Sequence, residues 1–340
     1  SCIEASLGHY VENENATAQL SCTLGTYQPN YASTSCILAE PGHWVESDGA
    51  SQTQSCPLGT YGTSVGAVGI ETCISADPGY YVDSTGASSQ LECIAGTYNP
   101  VIGAISSADC LAADAGNYVE SSGSSEQTPC DLGTYQPNSG QIFCLESSSG
   151  TYVSNTGSSS VSDCSEGTYQ PNSGQSECID TSPGYFTSSV RASVQTPCLA
   201  GSYQPDPGSI TCLQADAGYH VPIEGQSMQT ICPAGQYQPQ PSSTECLITN
   251  PGEYSSEGST SPSPCLAGSY QSDSDQSGCV LADAGYYSSE ISSIEQTSCQ
   301  PGEYQPLTGQ SSCISAARGH YVDSTAATEE IPCEVGSYQP

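Results

Sequence analysis

Apolar side chains along this chain occur in ones, twos and threes, and they never settle into a helical period. Segments such as Tyr80-Tyr81-Val82 and Gly150-Thr151-Tyr152-Val153 are short and β-favouring, and Gly or Pro interrupts each stretch before a helix of ordinary length could form. The pattern predicts short antiparallel strands, many turns and essentially no helix. What recurs is a Gly-x-aromatic triplet, and beside it a cysteine.

The cysteines stand at 2, 22, 36, 56, 73, 93, 110, 130, 144, 164, 178, 198, 212, 232, 246, 265, 279, 299, 313 and 333. A long step of 20 residues, shortened to 19 between Cys246 and Cys265, alternates with a short step of 14, lengthened to 17 at Cys56–Cys73 and Cys93–Cys110. The period is therefore about 34 residues, the mark of a solenoid or linear array. It divides the chain into a partial long arm at 1–21, repeats at 22–55, 56–92, 93–129, 130–163, 164–197, 198–231, 232–264, 265–298 and 299–332, and a partial short arm at 333–340. The short arm carries Tyr27, Tyr61, Tyr98, Tyr135, Tyr169, Tyr203, Tyr237, Tyr270, Tyr304 and Tyr338. The long arm carries Tyr10, Trp44, Tyr81, Tyr118, Tyr152, Phe186, His220, Tyr254, Tyr287 and Tyr321 at its aromatic position. Gly permits the positive φ of a tight turn, and the ring two residues later can lie over a neighbouring half-cystine.

Composition says what must hold such loops together. One Met, one Trp and two Phe in 340 residues cannot supply ordinary globular cores, so the twenty cysteines are the stabilising element. Thiols in this number persist as disulfides in an oxidising setting, which places the chain outside the cell or at its surface. No CxxC pair occurs and successive cysteines are never closer than 14 positions, which argues against zinc or iron–sulfur use. Thirty-six acidic residues face two basic ones, Arg191 and Arg318; such a charge repels nucleic acid and anionic membranes and favours solubility. No apolar run is long enough to span a bilayer, so no membrane insertion is expected of this segment. Ser1 opens no signal sequence, and the expectation is a mature or excised piece of a longer exported protein.

Two pairings suit the spacing. The first closes each short arm: Cys22–Cys36, Cys56–Cys73, Cys93–Cys110, Cys130–Cys144, Cys164–Cys178, Cys198–Cys212, Cys232–Cys246, Cys265–Cys279 and Cys299–Cys313. The second closes each long arm, from Cys2–Cys22 through Cys313–Cys333. Both three-residue insertions fall in the short arm, where lengthening a closed loop costs little, and this favours the first. Either way each bond contributes on the order of 3 kcal/mol by restricting the unfolded chain, in the entropic account.

The arm CxxGxYxxxxGxxxC, present as CDLGTYQPNSGQIFC at Cys130 and CQPGEYQPLTGQSSC at Cys299, resembles the ephrin-receptor-like cysteine-rich repeat, itself similar to the first loop of tumour-necrosis-factor-receptor modules. The resemblance implies a short arm closed by its own disulfide and an extracellular setting. Similar arrays occur in large surface proteins of microbes and algae, including hair-like flagellar appendages. Receptor versions carry further closely spaced cysteines, whereas the long arm IDTSPGYFTSSVRASVQTP between Cys178 and Cys198 has none.

Candidate sites are few. His9, His43 and His320 precede the long-arm aromatic and His220 replaces it, so all four read as surface or stacking residues. Asp77, Asp114, Asp216 and Asp283 stand two residues before a long-arm Gly, where an Asx turn explains them more simply than calcium bridging, the one cofactor the pattern admits. Asn15-Ala16-Thr17 is a glycosylation sequon, and the Ser and Thr of the long arms offer O-glycan sites. Nothing resembles a catalytic constellation. The combined expectation is a linear array of short hairpin loops, small, disulfide-rich and all-β/irregular, acting as an acidic extracellular structural protein. It would build a filament, appendage or coat by self-association or with other surface proteins; the alternative is an adhesin stalk or receptor ectodomain binding protein or glycan.

Overall fold

A computed structural model describes residues 2–339; Ser1 and Pro340, the outer ends of the two partial repeats, lie outside it. The chain divides into two compact units, Ser1–Asp163 with Asn172–Cys178, and Cys164–Pro171 with Ile179–Pro340. Among the described residues the strands pair into nineteen antiparallel hairpins, each built of two-residue strands. The helical content among them is two single 3₁₀ turns, Ile70–Thr72 and Ser107–Asp109. Both lie in the lengthened short arms, where three extra residues must be coiled between the strands.

Long and short arms adopt the same hairpin. His9–Tyr10 pairs with Leu20–Ser21 in a long arm, and Thr26–Tyr27 with Ile37–Leu38 in the short arm that follows. The 34-residue sequence period is thus two structural rungs of about 17 residues, one bridged by a disulfide and one not.

The regular short arm after Cys130 shows how a rung is built in the first unit. A turn closes with the Thr134 N–H on the Asp131 carbonyl at 3.0 Å, and Gly133 takes the left-handed φ of 79° that this turn needs. Thr134–Tyr135 then pairs with Leu145–Glu146. Gly133 donates to the Val153 carbonyl at 2.9 Å in the next rung and accepts from the Ser147 N–H at 2.9 Å. A Cβ on Gly133 would stand 2.1 Å from the Gly174 carbonyl oxygen, two rungs on. This approach, short arm over short arm, is a second reason for glycine there. In the second unit Gly201 does the same, donating to Val221 at 2.8 Å with the Ser242 carbonyl 2.2 Å from its missing Cβ. Long arms stack on long arms in the same way, as Gly116 on Gly157 and Gly184 on Gly225.

The core is thin and repeats with this stacking. Three residues before each rung's Gly stands a buried small residue: a half-cystine in the short arms (Cys22, Cys56, Cys93, Cys130) and mostly Ala in the long arms (Ala39, Ala76, Ala113, Ala215). Three residues after it, Val45, Val82, Val119, Val153 and Val221 fill the long arms, while the short arms bury glutamine. Gln136, 2% exposed, donates from Nε2 to the Phe143 carbonyl at 2.9 Å and accepts the Asn138 N–H on Oε1 at 3.1 Å. Gln28, Gln204, Gln238, Gln271 and Gln305 span their loops alike. In the two lengthened arms the carbonyl lies further along the chain, and the position holds Gly62 and Asn99 instead.

At each hairpin tip one residue is left-handed, usually Gly, but Asn15, Ala32, Arg191, Ser242, Asp275, Ser292 and Ala326 take φ of 56–65° there. A left-handed L-residue costs roughly 1–2 kcal/mol, partly offset by the lower unfolded-state entropy of a non-glycine. Ala32→Gly is therefore expected to raise the local opening free energy by about 0.5–1 kcal/mol. Gly133→Ala, which adds a carbonyl overlap to the same backbone cost, is expected to lower it by about 3 kcal/mol or more. Hydrogen exchange of the Ala32 and Gly133 amides measures both.

Candidate functional site

The structure closes the short arms. Cys22–Cys36, Cys56–Cys73, Cys93–Cys110, Cys130–Cys144, Cys198–Cys212, Cys232–Cys246, Cys265–Cys279 and Cys299–Cys313 are bonded with Cα–Cα separations of 5.6–5.8 Å. Cys164 and Cys178 are disulfide-bonded too. Cys2 and Cys333 are free thiols, so the long-arm alternative that would have used both is not the one formed. The hairpin register explains the choice. Cys130 and Cys144 each immediately precede a turn or strand of one rung, which brings their Cα atoms within bridging reach, whereas Cys110 and Cys130 belong to short arms two rungs apart.

The long-arm rings Tyr10 and Tyr81 lie toward the disulfide of the next short arm. Tyr10 and Cys36 line one shallow cavity of about 290 Å³, and Tyr81 lines another, of about 260 Å³, with Cys93 and Cys110. Where the ring is replaced by imidazole, His220 Nδ1 sits 3.1 Å from Cys246 Sγ. Histidines one place earlier behave differently. His9 Nδ1 lies 3.0 Å from the Leu7 carbonyl and 3.3 Å from Ser6 Oγ, His43 Nδ1 lies 3.4 Å from the Pro41 carbonyl, and His320 Nδ1 lies 3.9 Å from Glu330 Oε1.

The four aspartates do not make the Asx turns expected of them. Their carboxylates accept from the side chain of a glutamine 13 residues on, Gln90 Nε2 to Asp77 at 2.9 Å, and Gln127 to Asp114, Gln229 to Asp216 and Gln296 to Asp283 each at 2.8 Å. The same glutamines accept the aspartate N–H at 2.7–2.8 Å. The turn itself closes through the aspartate carbonyl, as in Tyr80 N–H to Asp77 at 3.0 Å, which leaves the carboxylate for the facing strand. Among the described residues none of these aspartates joins a group of three metal-capable side chains. Asn15 sits at an exposed tip.

A feature that sequence reading passed over is the residue after each short arm's second cysteine. From Tyr27–Ile37 to Tyr304–Ile314, every short-arm tyrosine has an aliphatic residue as its cross-strand partner. These nine aliphatics are each 38% to 49% exposed. Seven long arms put Ser, Thr or Gln there, Trp44–Gln54 and Tyr118–Thr128 among them. Since short arms stack on short arms, each unit carries its aliphatics along one side.

Fold and bonds together define a disulfide-rich, all-β tandem-repeat array, and disulfides in this number suit an extracellular setting. Residues 116–164 and 150–198 match the family model described as tyrosine-protein kinase ephrin type A/B receptor-like, the two matches being offset by one 34-residue repeat. These stretches are similar to ephrin-receptor-like cysteine-rich repeats. No curated protein matches the chain. No helix among the described residues is long and apolar enough to cross a membrane.

The two kinds of glutamine differ in what their loss costs. Gln136→Ala removes a buried side chain and its part-buried bonds to the Phe143 carbonyl and the Asn138 N–H, and is expected to destabilise its rung by about 1–2 kcal/mol. Gln127→Ala leaves exposed partners to water and is expected to cost about 0.5 kcal/mol. Denaturant unfolding followed by amide protection in the Cys130–Cys144 rung and in the preceding Asn117–Pro129 rung separates them.

Proposed function

We propose that the chain is an extracellular structural protein whose rungs, in the repeats set out from 22–55 to 299–332, form or contribute to a filament, appendage or surface coat. The exposed aliphatic beside every short-arm tyrosine carries this reading. A regular apolar column along one side of a repetitive stack is a surface for lateral association with further copies or with other surface proteins. The acidic charge sets a threshold: association would wait on salt or divalent cations to screen it. A glycan on Asn15 would project from a hairpin tip and leave the short-arm column clear.

A second reading, an adhesin stalk or receptor ectodomain, is favoured by the lengthened arms. Val65, Val68, Ile70, Val101, Ile102 and Ile105 are all more than 45% exposed there, and a cavity of about 450 Å³ is lined by Val101, Ile105 and Leu111.

Electron microscopy and sedimentation of the full chain in calcium and at raised salt are expected to show laterally associated polymers that Leu111→Ser with Leu145→Ser weakens. Dispersed monomers under every condition would contradict the structural reading. Loss of protein or glycan adhesion on Ile70→Ser with Ile102→Ser, with the fold kept, would favour the second.

A further inference from the structure

Of the nine long arms that precede a disulfide-bonded short arm, eight put Tyr, Trp or Phe at the aromatic position; the ninth puts His220 there. The substitution changes the chemistry of one bond. His220 Nδ1 reaches Cys246 Sγ at 3.1 Å, and His220, Cys232 and Cys246 each offer a ligand atom within 4.8 Å of the others. Cys232 is buried, while His220 and Cys246 are half-buried, so the cluster borders solvent without being open to it.

We propose that, once its disulfide is reduced, this cluster is a three-ligand site for a zinc-class divalent cation, which makes this rung redox-gated. The first step is exchange with a thiol reductant: the Cys232–Cys246 bond takes up two electrons and two protons from two thiols, which leave as their own disulfide. Metal binding then releases two protons to solvent, and two thiolates and a neutral imidazole hold the dication with no net charge left buried. Zinc–sulfur and zinc–nitrogen bonds of about 2.3 and 2.0–2.1 Å place neighbouring tetrahedral ligands roughly 3.5 Å apart. The sulfurs need only move apart from their bonded 1.96 Å to about that distance, and the imidazole nitrogen already lies near it. The fourth position falls to water. Sequence spacing gives no hint of the site, because both cysteines look like every other pair and the imidazole comes from the preceding arm, 26 residues before Cys246.

The test uses the full chain with Cys2→Ser and Cys333→Ser to remove the free thiols. Limited reduction by a monothiol in zinc, removal of the monothiol and reoxidation in air are followed by thiol alkylation, peptide mapping and metal analysis. The expected result is one zinc per chain with Cys232 and Cys246 retained as thiols, while the other short arms reclose. Cobalt in place of zinc should give the visible bands of a tetrahedral thiolate site. His220→Tyr, which restores the residue common at this position and so keeps the rung, should weaken zinc by about tenfold or more and let Cys232–Cys246 reclose. His220→Cys should retain the metal. Equal zinc in the parent and His220→Tyr, or reclosure of Cys232–Cys246 in the parent despite zinc, would overturn the proposal.

Discussion

The rest of the structure depends on the approach of a glycine to a carbonyl two rungs away. At Gly133 that contact leaves no room for a Cβ, since the Gly174 oxygen would stand 2.1 Å from it, and the same residue needs a left-handed φ to turn the chain. Two demands that only glycine meets therefore fall on one position, and they recur about every 17 residues from Gly8 to Gly133 in the first unit. Because the contact joins alternate rungs, it sorts the hairpins into a stack of short arms and a stack of long arms within each unit. Neither the tyrosine rings nor the cysteines could impose that order, since two-residue strands have little hold on one another.

Backbone this close needs little side-chain volume to fill the remaining space, which reconciles the composition with a fixed fold. Half-cystine and alanine alternate on one flank of each glycine, valine and glutamine on the other, and none of these is large. The glutamines matter most where apolar residues are missing. Gln136 closes the loop its disulfide spans, meeting the polar groups that Cys130–Cys144 leaves inside. The disulfide limits the unfolded chain, and the glutamine makes the closed loop rigid.

Much of this was legible in the sequence, in an uneven way. The Gly-x-aromatic triplets and the absence of any sustained helical period gave the short strands, the hairpins and the lack of helix. The three-residue insertions pointed to closure of the short arm. The equivalence of the two arms was hidden because the cysteines step by 20 and 14, although Gly8, Gly25, Gly42 and Gly59 already step evenly by 17. The glutamine of the recurrent Tyr-Gln-Pro was lost in a polar background, since nothing local marks it as buried. The aspartates misled for the opposite reason: an Asx turn is a local rule, and Gln90 or Gln127 answers from 13 residues away across the hairpin. His220 was read only as a surface or stacking residue, because the cysteine it meets, Cys246, ends the following arm.

An array held this way differs in one measurable respect from disulfide loops strung on a chain. Hydrogen exchange resolved to single residues should find the N–H groups of Gly25, Gly59, Gly96 and Gly133 in the first unit protected, and likewise Gly201, Gly235 and Gly268 in the second, because each donates to a carbonyl of the next rung. Protection should persist in long arms that carry no disulfide, as at Gly116, and should spread to neighbouring rungs when Gly133→Ala breaks one contact. Rapid exchange at these amides with the disulfides intact, or a loss confined to the substituted rung, would contradict the stacked array and leave only independent loops.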